Sequence, residues 1–332
     1  MLEEAPMRAL FLGLSLCVAA SCSSYQRADV AQVPKHTPGP NPFVGKKLYV
    51  DPNMGSARQA EKWRGQRPED AALMDKIATQ PQAEWLGEWS GAVKLFVRSK
   101  MEQYAEVNAM GLFIVYNIPN RDCGQHSKGG AKNGEAYLEW IDKIAAGVDD
   151  RPAVMILEPD TLGQLGKCTA KEKQAERYQL LSQAIRIFKS RPNIYVYLDA
   201  GHARWLPAEE MAAHLKAAGI EYADGFSLNV SNYVSTEENL AYGKQLSSLT
   251  GGAHFVIDTA RNGNGAAPND EWCNPDGRAL GIPPTTDTDE PLCDAYLWLK
   301  RPGESDGACN GGPRAGEFWP KQALDLARRS KY

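Results

Sequence analysis

The chain has 332 residues, of which 43% are hydrophobic and 23% charged, the proportions of a soluble globular protein with one large core or two small ones. Its net charge is −4 and it contains no basic block, which argues against a nucleic-acid partner. Eight Trp and thirteen Tyr residues are a generous aromatic supply for a core or for a sugar-binding cleft.

The N-terminus is predicted to be an export signal. Arg8 precedes an apolar run over residues 9–20, which is too short to span a bilayer. The small residues before Cys22 resemble a bacterial lipoprotein processing site that would lipidate Cys22, and simple secretion is the alternative. We therefore assign residues 1–21 to a signal peptide, residues 22–42 to a polar linker and residues 43–332 to a single folded domain.

The seven cysteines suit an oxidising compartment. After Cys17 and Cys22 are set aside, five remain, and two bridges with one free thiol is the economical arrangement. Because there is no Cys-x-x-Cys pair, structural zinc is not expected. We also predict no other metal and no cofactor.

Strand and helix patterns alternate along the chain. Strands are predicted over residues 47–51, 84–89, 112–118, 153–157, 193–199, 225–230, 254–258 and 294–300. Helices are predicted over residues 68–79, 92–110, 134–146, 171–189, 207–218, 236–248 and 320–329. Residues 259–292 are rich in Gly, Pro, Asn and Asp, and loops longer than roughly 12–15 residues are usually functional or disordered. Alternation without a repeat or a second core predicts a parallel α/β fold, and this length favours a barrel.

The strand over residues 153–157 carries five apolar residues in a row, which is typical of a strand buried on both faces. It runs into Glu158-Pro159-Asp160, where Pro159 is expected to hold Glu158 in an extended conformation. Asp160 would then stand at the carboxyl end of a parallel strand, where α/β barrels keep their catalytic residues. Taken alone, the motif is better explained by Asp160 capping a helix that starts near Leu162.

Other strands end in the same way. Those ending near Ile118, Leu157, Asp199 and Lys300 each lead into an acidic residue within a few positions, so their carboxylates would converge on one cleft. Paired carboxylates without metal ligands, a nucleophile elbow or a phosphate loop indicate glycoside hydrolysis. That reaction needs a protonated acid at the leaving oxygen, and a neighbouring carboxylate keeps an acid protonated by like-charge repulsion.

Five motifs carry a resemblance to a known family. They are Tyr116-x-x-Pro119-x-Arg121-Asp122-Cys123, Ile156-Leu157-Glu158-Pro159-Asp160, Asp199-Ala200-Gly201-His202, Asp258-Thr259-x-Arg261-Asn262-Gly263 and Lys300-x-Pro302-Gly303-Glu304-Ser305-Asp306-Gly307. Together, and in this order, they resemble glycoside hydrolase family six, the inverting β-1,4-glucanases. The resemblance covers about residue 47 to the C-terminus. It implies a distorted seven-stranded parallel (β/α) barrel, a single catalytic domain that hydrolyses a β-1,4-glucan by single displacement.

The resemblance also implies catalytic roles. Asp160 would be the general acid, and Asp122 the neighbour that raises the pKa of that acid and helps relay protons from the attacking water. Asp306 would be the candidate base and Asp199 an auxiliary carboxylate. Tyr116 would press the sugar beside the scissile bond out of its relaxed chair.

Substrate contacts and disulfides follow from the same resemblance. Lys300 and Glu304 would hydrogen-bond the sugar at the scissile bond. Stacking and hydroxyl contacts would come from Trp85, Trp205, Trp272, His202 and Asn232. The disulfides would join Cys123 to Cys168 and Cys273 to Cys309.

Structural roles compete with some functional ones. Asp122 has Arg121 beside it as a simple ion-pair partner, and Asp258 is best explained as a helix cap. We expect core positions for Trp140, Trp298, Trp319 and His254, and Cys293 to be a buried small hydrophobe.

The sequence departs from the family at Lys128, where a serine that helps hold the attacking water is usual. Ser127 is the candidate substitute. The short segment between Cys273 and Cys309 leaves little room for a loop that roofs the cleft, which favours an endo-β-1,4-glucanase. We expect this enzyme to be exported and monomeric, without a protein partner. The alternatives are a cellobiohydrolase and a catalytically weak, surface-anchored glucan-binding protein.

Overall fold

The structure of the protein is a computed structural model that describes Met1, residues 33–37 and residues 39–332. The predicted export signal beyond Met1, Cys22 and most of the predicted linker lie outside the described residues. Within the described part of the chain, no helix is both long enough and apolar enough to cross a membrane.

Seven parallel strands form one curled sheet, with helices packed on its outer side. In sheet order the strands are β2 (Glu84–Leu86), β3 (Ala109–Val115), β4 (Ala153–Leu157), β5 (Ile194–Asp199), β6 (Gly225–Leu228), β7 (His254–Asp258) and β8 (Cys293–Leu297). A two-residue strand, β1 (Lys47–Leu48), pairs with the start of β3. The predicted seven-stranded parallel fold is thereby confirmed.

Helices connect the strands, so that the two kinds of element alternate along the chain as predicted. Their bounds are α1 (Gly55–Trp63), α2 (Pro68–Ala78), α3 (Val93–Glu106), α4 (Gly134–Val148), α5 (Leu165–Cys168), α6 (Lys171–Lys189), α7 (Ala208–Ala217), α8 (Thr236–Leu249) and α9 (Pro320–Arg328). Helix α1 was not predicted because its buried residues, Ser56 and Ala60, are too small and polar to give an apolar stripe. The predicted helix over residues 92–110 stops early because Asn108 adopts a left-handed φ of 53°, and β3 begins at Ala109.

Alternation along each strand divides the core into two layers. On β3, Phe113 and Val115 pack with the helices, whereas Leu112 and Ile114 pack inside the barrel. All seven residues of β3 are buried, which explains why its sequence shows no polar alternation. The barrel interior is therefore filled with side chains, and a substrate can only bind at its rim.

The seam, the gap between β8 and β2, is closed by a few hydrogen bonds instead of a ladder. The Ala83 amide donates to the Trp298 carbonyl at 3.1 Å, and the Trp85 indole donates to the Leu299 carbonyl at 2.9 Å. Arg301 Nε donates to the Ala83 carbonyl at 2.9 Å. The barrel is thus distorted on the side where Trp85 and Arg301 meet.

Several local expectations need correction. Glu158 is not extended: its φ is +51°, because tertiary hydrogen bonds to its carboxylate override the preference of a residue before proline. Trp298 is fully buried as expected, but Trp140 and Trp319 are only half-buried. His254 is half-buried, with Nδ1 2.9 Å from Asp294 Oδ1. The prediction for Cys293 is confirmed, since it is a buried free thiol.

Candidate active site

A cleft of about 1100 Å³ opens at the carboxyl ends of the strands. Its lining includes every predicted catalytic and substrate-binding residue except Asp199, namely Trp85, Tyr116, Asp122, Asp160, His202, Trp205, Asn232, Trp272, Lys300, Glu304 and Asp306. The strand ends therefore bring together residues that are far apart in the sequence.

Asp160 lies two residues beyond Glu158 and adopts a left-handed φ of 70°. Burial, followed by the negative charge of Asp122, raises the pKa of its carboxyl to about 7. The Tyr116 hydroxyl approaches Asp160 Oδ2 at 3.4 Å. A carboxyl group that keeps its proton near neutral pH is suited to act as a general acid. The helix-cap alternative for Asp160 is set aside, because the next helix, α5, begins only at Leu165.

Asp199 lies beneath Asp160 and is 1% exposed. Its Oδ1 accepts the Asp160 amide at 3.0 Å and the Gly201 amide at 3.0 Å, and Ser227 Oγ donates to Oδ2 at 3.2 Å. Burial, followed by the charge of Asp160, raises the pKa of Asp199 well above its usual range. Asp199 itself lies outside the cleft, and it supports the backbone segment that carries Asp160.

Asp122 is half-buried, and it has a left-handed φ of 56°. The Ser127 amide donates to Oδ2 at 2.7 Å, and Gln164 Nε2 donates to Oδ1 at 3.3 Å. The competing pair with Arg121 does not form, because the Arg121 guanidinium binds Glu88 at 2.6 Å. Asp122 is left facing the cleft beside Asp160.

Asp306 is buried and surrounded by donors. Arg261 forms an ion pair with it at 2.9 Å, and the Tyr233 hydroxyl and the Asn274 amide each donate to Oδ2 at 3.0 Å. Lys300 Nζ lies 3.8 Å from Oδ1. Of the two oxygens, Oδ1 therefore carries fewer donors and is the one better able to accept another hydrogen bond.

One wall of the cleft is built around Trp85. Its ring meets Tyr116 edge-on at a centroid distance of 5.5 Å, and Lys300 Nζ lies 5.8 Å from its ring centroid. Burial lowers the pKa of Lys300. Glu304 lies beside Arg301 Nη1 at 3.4 Å. This wall offers an aromatic face together with charged hydrogen-bonding groups, a combination that suits a sugar ring.

The opposite wall carries Trp205 and His202, whose rings lie 5.3 Å apart. Burial lowers the pKa of His202 to about 4, so its imidazole is neutral at neutral pH. Asn232 Nδ2 donates to the Val230 carbonyl at 3.1 Å, which fixes the amide at the cleft edge. Gly163 and Gly201 pack against the Trp205 ring, where a Cβ would come within 2.7 Å and 3.0 Å of it.

Trp272 is 42% exposed and meets His126 edge-on at 5.9 Å. His126 also lies near Cys273 and Cys309, with ligand atoms within 4.8 Å of one another. Those two sulfurs are joined in a disulfide, so they are not thiolate ligands for a metal. Among the described residues, no other group of this kind offers a metal site.

Two disulfides join loops at the cleft. Cys123 pairs with Cys168 and Cys273 with Cys309, at Cα separations of 5.6 Å and 6.2 Å. The first links the residue next to Asp122 to the end of α5. The pairing implied by the resemblance is confirmed.

Asp258 is not a helix cap, because no helix follows β7 directly. Its carboxylate instead accepts amides of Ser231, Ala260, Leu299 and Lys300. Its role is to join three strand ends, an arrangement that residue spacing alone does not reveal.

Several lining residues were not predicted. Trp89, 55% exposed, extends the aromatic surface beyond Trp85, and Gln164 joins the Asp122 loop to α5. The signal for Trp89 was its place in the aromatic stretch Glu84–Trp89, and for Gln164 the helical spacing of four from Asp160. Lys128 is exposed and lines the cleft, and Ser127 contacts Asp122 through its amide.

Known proteins resemble the chain over most of its length. The family model of glycosyl hydrolases family 6 matches residues 43–330. Endoglucanase A of Cellulomonas fimi is 45% identical over 295 residues, covering 88% of this chain and 63% of that protein. Endoglucanase 1 of Streptomyces halstedii is 41% identical over 325 residues, covering 94% of this chain and 98% of that protein. The chain thus spans less than two thirds of the first relative and nearly all of the second.

A solved structure matches as well. The endoglucanase Cel6 from Mycobacterium tuberculosis, in complex with a methyl-cellobiosyl-thio-β-D-cellobioside, has a TM-score of 0.83 and 44% sequence identity. The match covers 87% of this chain and 99% of that one. On the evidence of its strand-end carboxylates, its fold and these matches, the chain belongs to glycosyl hydrolases family 6.

Proposed function

We propose that the protein is an exported endo-β-1,4-glucanase that hydrolyses internal bonds of cellulose or a related glucan with inversion at the anomeric carbon. The observation that carries this proposal is Asp160, a carboxyl group with a pKa raised to about 7 in a cleft walled by tryptophans. The names of the relatives support the endo mode of action.

In this mechanism Asp160 donates its proton to the glycosidic oxygen as the bond to the anomeric carbon breaks. A water attacks that carbon from the opposite face, and its proton passes to a carboxylate, directly or through water. Asp122 is the relay, and Asp306 the candidate base, accepting at Oδ1 because Oδ2 already holds three donors. Water then returns the proton to Asp160.

Binding would use the two walls of the cleft. Trp85, Trp205 and Trp272 would stack on glucosyl rings, and Lys300, Glu304, His202 and Asn232 would hydrogen-bond sugar hydroxyls. Tyr116, in contact with both Trp85 and Asp160, would press on the ring at the scissile bond. Trp89 would extend the stacking surface.

Export is supported by the two disulfides, which persist in oxidising compartments. The N-terminal segment would direct the chain out of the cell, with lipidation of Cys22 and simple secretion as the two routes. Globomycin treatment of a producing bacterium separates them, since it blocks processing only of a lipidated precursor.

The direct test is hydrolysis of carboxymethylcellulose, with viscosity and reducing ends followed together for the wild type and Asp160→Ala. We expect a steep viscosity drop per reducing end in the wild type. The rate of hydrolysis should fall at least about 100-fold in the variant. Reducing ends without the viscosity drop would instead identify a cellobiohydrolase. Glucan binding without release of reducing ends would identify a glucan-binding protein.

A further inference from the structure

Glu158 and Asp258 are buried carboxylates that lie outside the cleft and have no part in the proposed chemistry. Glu158 follows β4 and is 0% exposed, and Asp258 ends β7 and is 2% exposed. Each accepts hydrogen bonds from backbone amides at the ends of neighbouring strands. Burial raises the pKa of both carboxyl groups, that of Glu158 to about 7, and the hydrogen bonds from these amides offset part of the cost of burying them.

Glu158 connects the two segments that carry Asp122 and Asp160. Its Oε1 accepts the Asn117 amide at 3.0 Å, and its Oε2 accepts the Ile118 amide at 3.0 Å. The Glu158 amide donates in return to the Val115 carbonyl at 2.8 Å. Asp122 lies four residues after Ile118, and Asp160 two residues after Glu158. The Glu158 carboxylate therefore fixes the backbone from which both of these segments begin.

The conformation of Glu158 is itself unfavourable. Its φ of +51° is left-handed, which a glutamate rarely adopts, and Asp160 follows with a φ of 70°. Unusual backbone conformations of this kind persist where the surroundings over-determine them, and they cluster at active sites. The amides of Asn117 and Ile118 supply that constraint here.

Asp258 makes the matching connection on the other side of the cleft. Its Oδ2 accepts the Lys300 amide at 2.9 Å and the Ser231 amide at 3.1 Å, while Oδ1 accepts the Ala260 and Leu299 amides at 3.0 Å and 3.2 Å. The ends of β6, β7 and β8 are thereby tied together. Lys300, which faces Asp306 and Trp85, is held through its own amide.

We propose that Glu158 and Asp258 are positioning residues: Glu158 sets the separation of Asp122 from Asp160, and Asp258 sets the place of Lys300 in the cleft. The inference rests on the proposed function for its kinetic consequences. Its geometric part is independent of activity and can be tested without substrate.

The first test is a ¹³C NMR titration of the Asp160 carboxyl in the wild type, Glu158→Gln and Asp294→Asn. Asp294 is a matched control, because it is also a buried carboxylate, 2% exposed, but binds Tyr197 and His254 away from the cleft. The charged and titratable groups that act on Asp160 are Asp122, Tyr116, Asp306, Lys300 and Asp199. We expect Glu158→Gln to lower the pKa of Asp160, since Asp122 is released from its place, and Asp294→Asn to leave that pKa unchanged.

A direct charge effect of Glu158 on Asp160 is separated by repeating the titration in an Asp122→Asn background. Positioning predicts that Glu158→Gln no longer changes the pKa of Asp160 when Asp122 is uncharged. An equal decrease in both backgrounds would overturn the positioning role, as would equal effects of Glu158→Gln and Asp294→Asn.

Kinetics on cellohexaose give the second test. Glu158→Gln is expected to lower kcat about tenfold with KM nearly unchanged, because it displaces the proton relay and not the binding walls. Asp258→Asn, which leaves the Glu158 contacts in place, is expected to raise KM severalfold through Lys300. Similar losses of activity in both kcat and KM for all three variants, Asp294→Asn included, would mean that Glu158 and Asp258 contribute only to the stability of the fold. If the wild type itself fails to cleave cellohexaose, the proposed function fails while the titration still judges the positioning of Asp122 against Asp160.

Discussion

At the scale of single residues, the site depends on how differently its carboxylates are surrounded. Asp160 has burial and the charge of Asp122 acting on it, and both favour its protonated form. Asp306 has an arginine, a tyrosine hydroxyl and a backbone amide around it. The same side-chain type can thus serve as a proton donor in one place and as a hydrogen-bond acceptor in another.

Asp160→Ala should separate substrates by leaving group. A glucan linkage needs protonation of its oxygen, so we expect at least about 100-fold loss of kcat on cello-oligosaccharides. The dinitrophenolate of a dinitrophenyl cellobioside leaves without protonation, so the variant should cleave this substrate at close to the wild-type rate. Comparable losses on both substrates would remove Asp160 from the acid role. Glu317→Ala, at the cleft edge, serves as a control for general damage.

The raised pKa of Asp160 also predicts a pH dependence of stability. The unfolded carboxyl titrates near 3.9, so between about pH 4 and pH 7 the folded state binds more protons than the unfolded state. Stability contributed by this group is therefore lost as the pH rises through about 7. Asp160→Asn should raise Tm relative to the wild type at pH 8, by about 2–4 °C per kcal/mol regained, and leave it unchanged at pH 4. A Tm difference independent of pH, measured by calorimetry, would contradict this assignment.

At the scale of elements, the site is carried by loops that need external bracing. The loop from Tyr116 to Asn133 contains Asp122 and has little regular structure. Arg121 fixes it from within by binding the Tyr116 and Ser127 carbonyls at 2.7 Å and 2.8 Å. Cys123–Cys168 and Gln164 fix it to α5. These contacts brace the loop in addition to its own few backbone hydrogen bonds, such as the one from the Arg121 amide to the Gly129 carbonyl at 3.1 Å.

Cys168→Ser should loosen that loop. Closing a loop with a sequence separation of 45 stabilises the fold by about 4 kcal/mol in the chain-entropy model. We therefore expect a lower Tm. We also expect a reduced kcat, because Cys123, the residue next to Asp122, loses its covalent link to α5. Cys293→Ala, which removes a buried free thiol and no bridge, controls for loss of a sulfur. An unchanged kcat in Cys168→Ser would show that Gln164 and Arg121 hold the loop without the disulfide.

At the scale of the whole molecule, the seam is the place where the barrel depends on side chains. Arg301 is central to it: it binds the Ala83 carbonyl, Glu84 at 3.1 Å and Glu304 at 3.4 Å. Lys100 also reaches Glu84, at 2.8 Å. The seam thus connects β8, β2 and Glu304, which lines the cleft, in one network of charges.

Arg301→Met should weaken both stability and binding. It leaves the Ala83 carbonyl and Glu304 without a partner, so the free energy of unfolding should fall by about 1–3 kcal/mol, measured by urea denaturation. KM for cello-oligosaccharides should rise because Glu304 and Trp85 lose their shared support. Arg314→Met is the matched control, since its pair with Glu317 is exposed and worth little. Equal effects of the two substitutions would mean that Arg301 contributes no more to stability and binding than an exposed surface arginine.

The sequence by itself determined the alternation of strands and helices, because apolar runs and their spacing depend on near neighbours along the chain. It also determined which carboxylates stand at strand ends and, through five ordered motifs, the family. Only the tertiary structure decided the left-handed φ of Glu158, the four amides on Asp258 and the donors around Asp306. Apart from the Ala260 amide, those partners lie between 27 and 73 residues away along the chain. A local pattern carries no information about which distant amide or hydroxyl a carboxylate will meet. The raised pKa of Asp160 belongs to the same class, because it arises from burial and from a charge 38 positions earlier in the chain, brought near only by the fold.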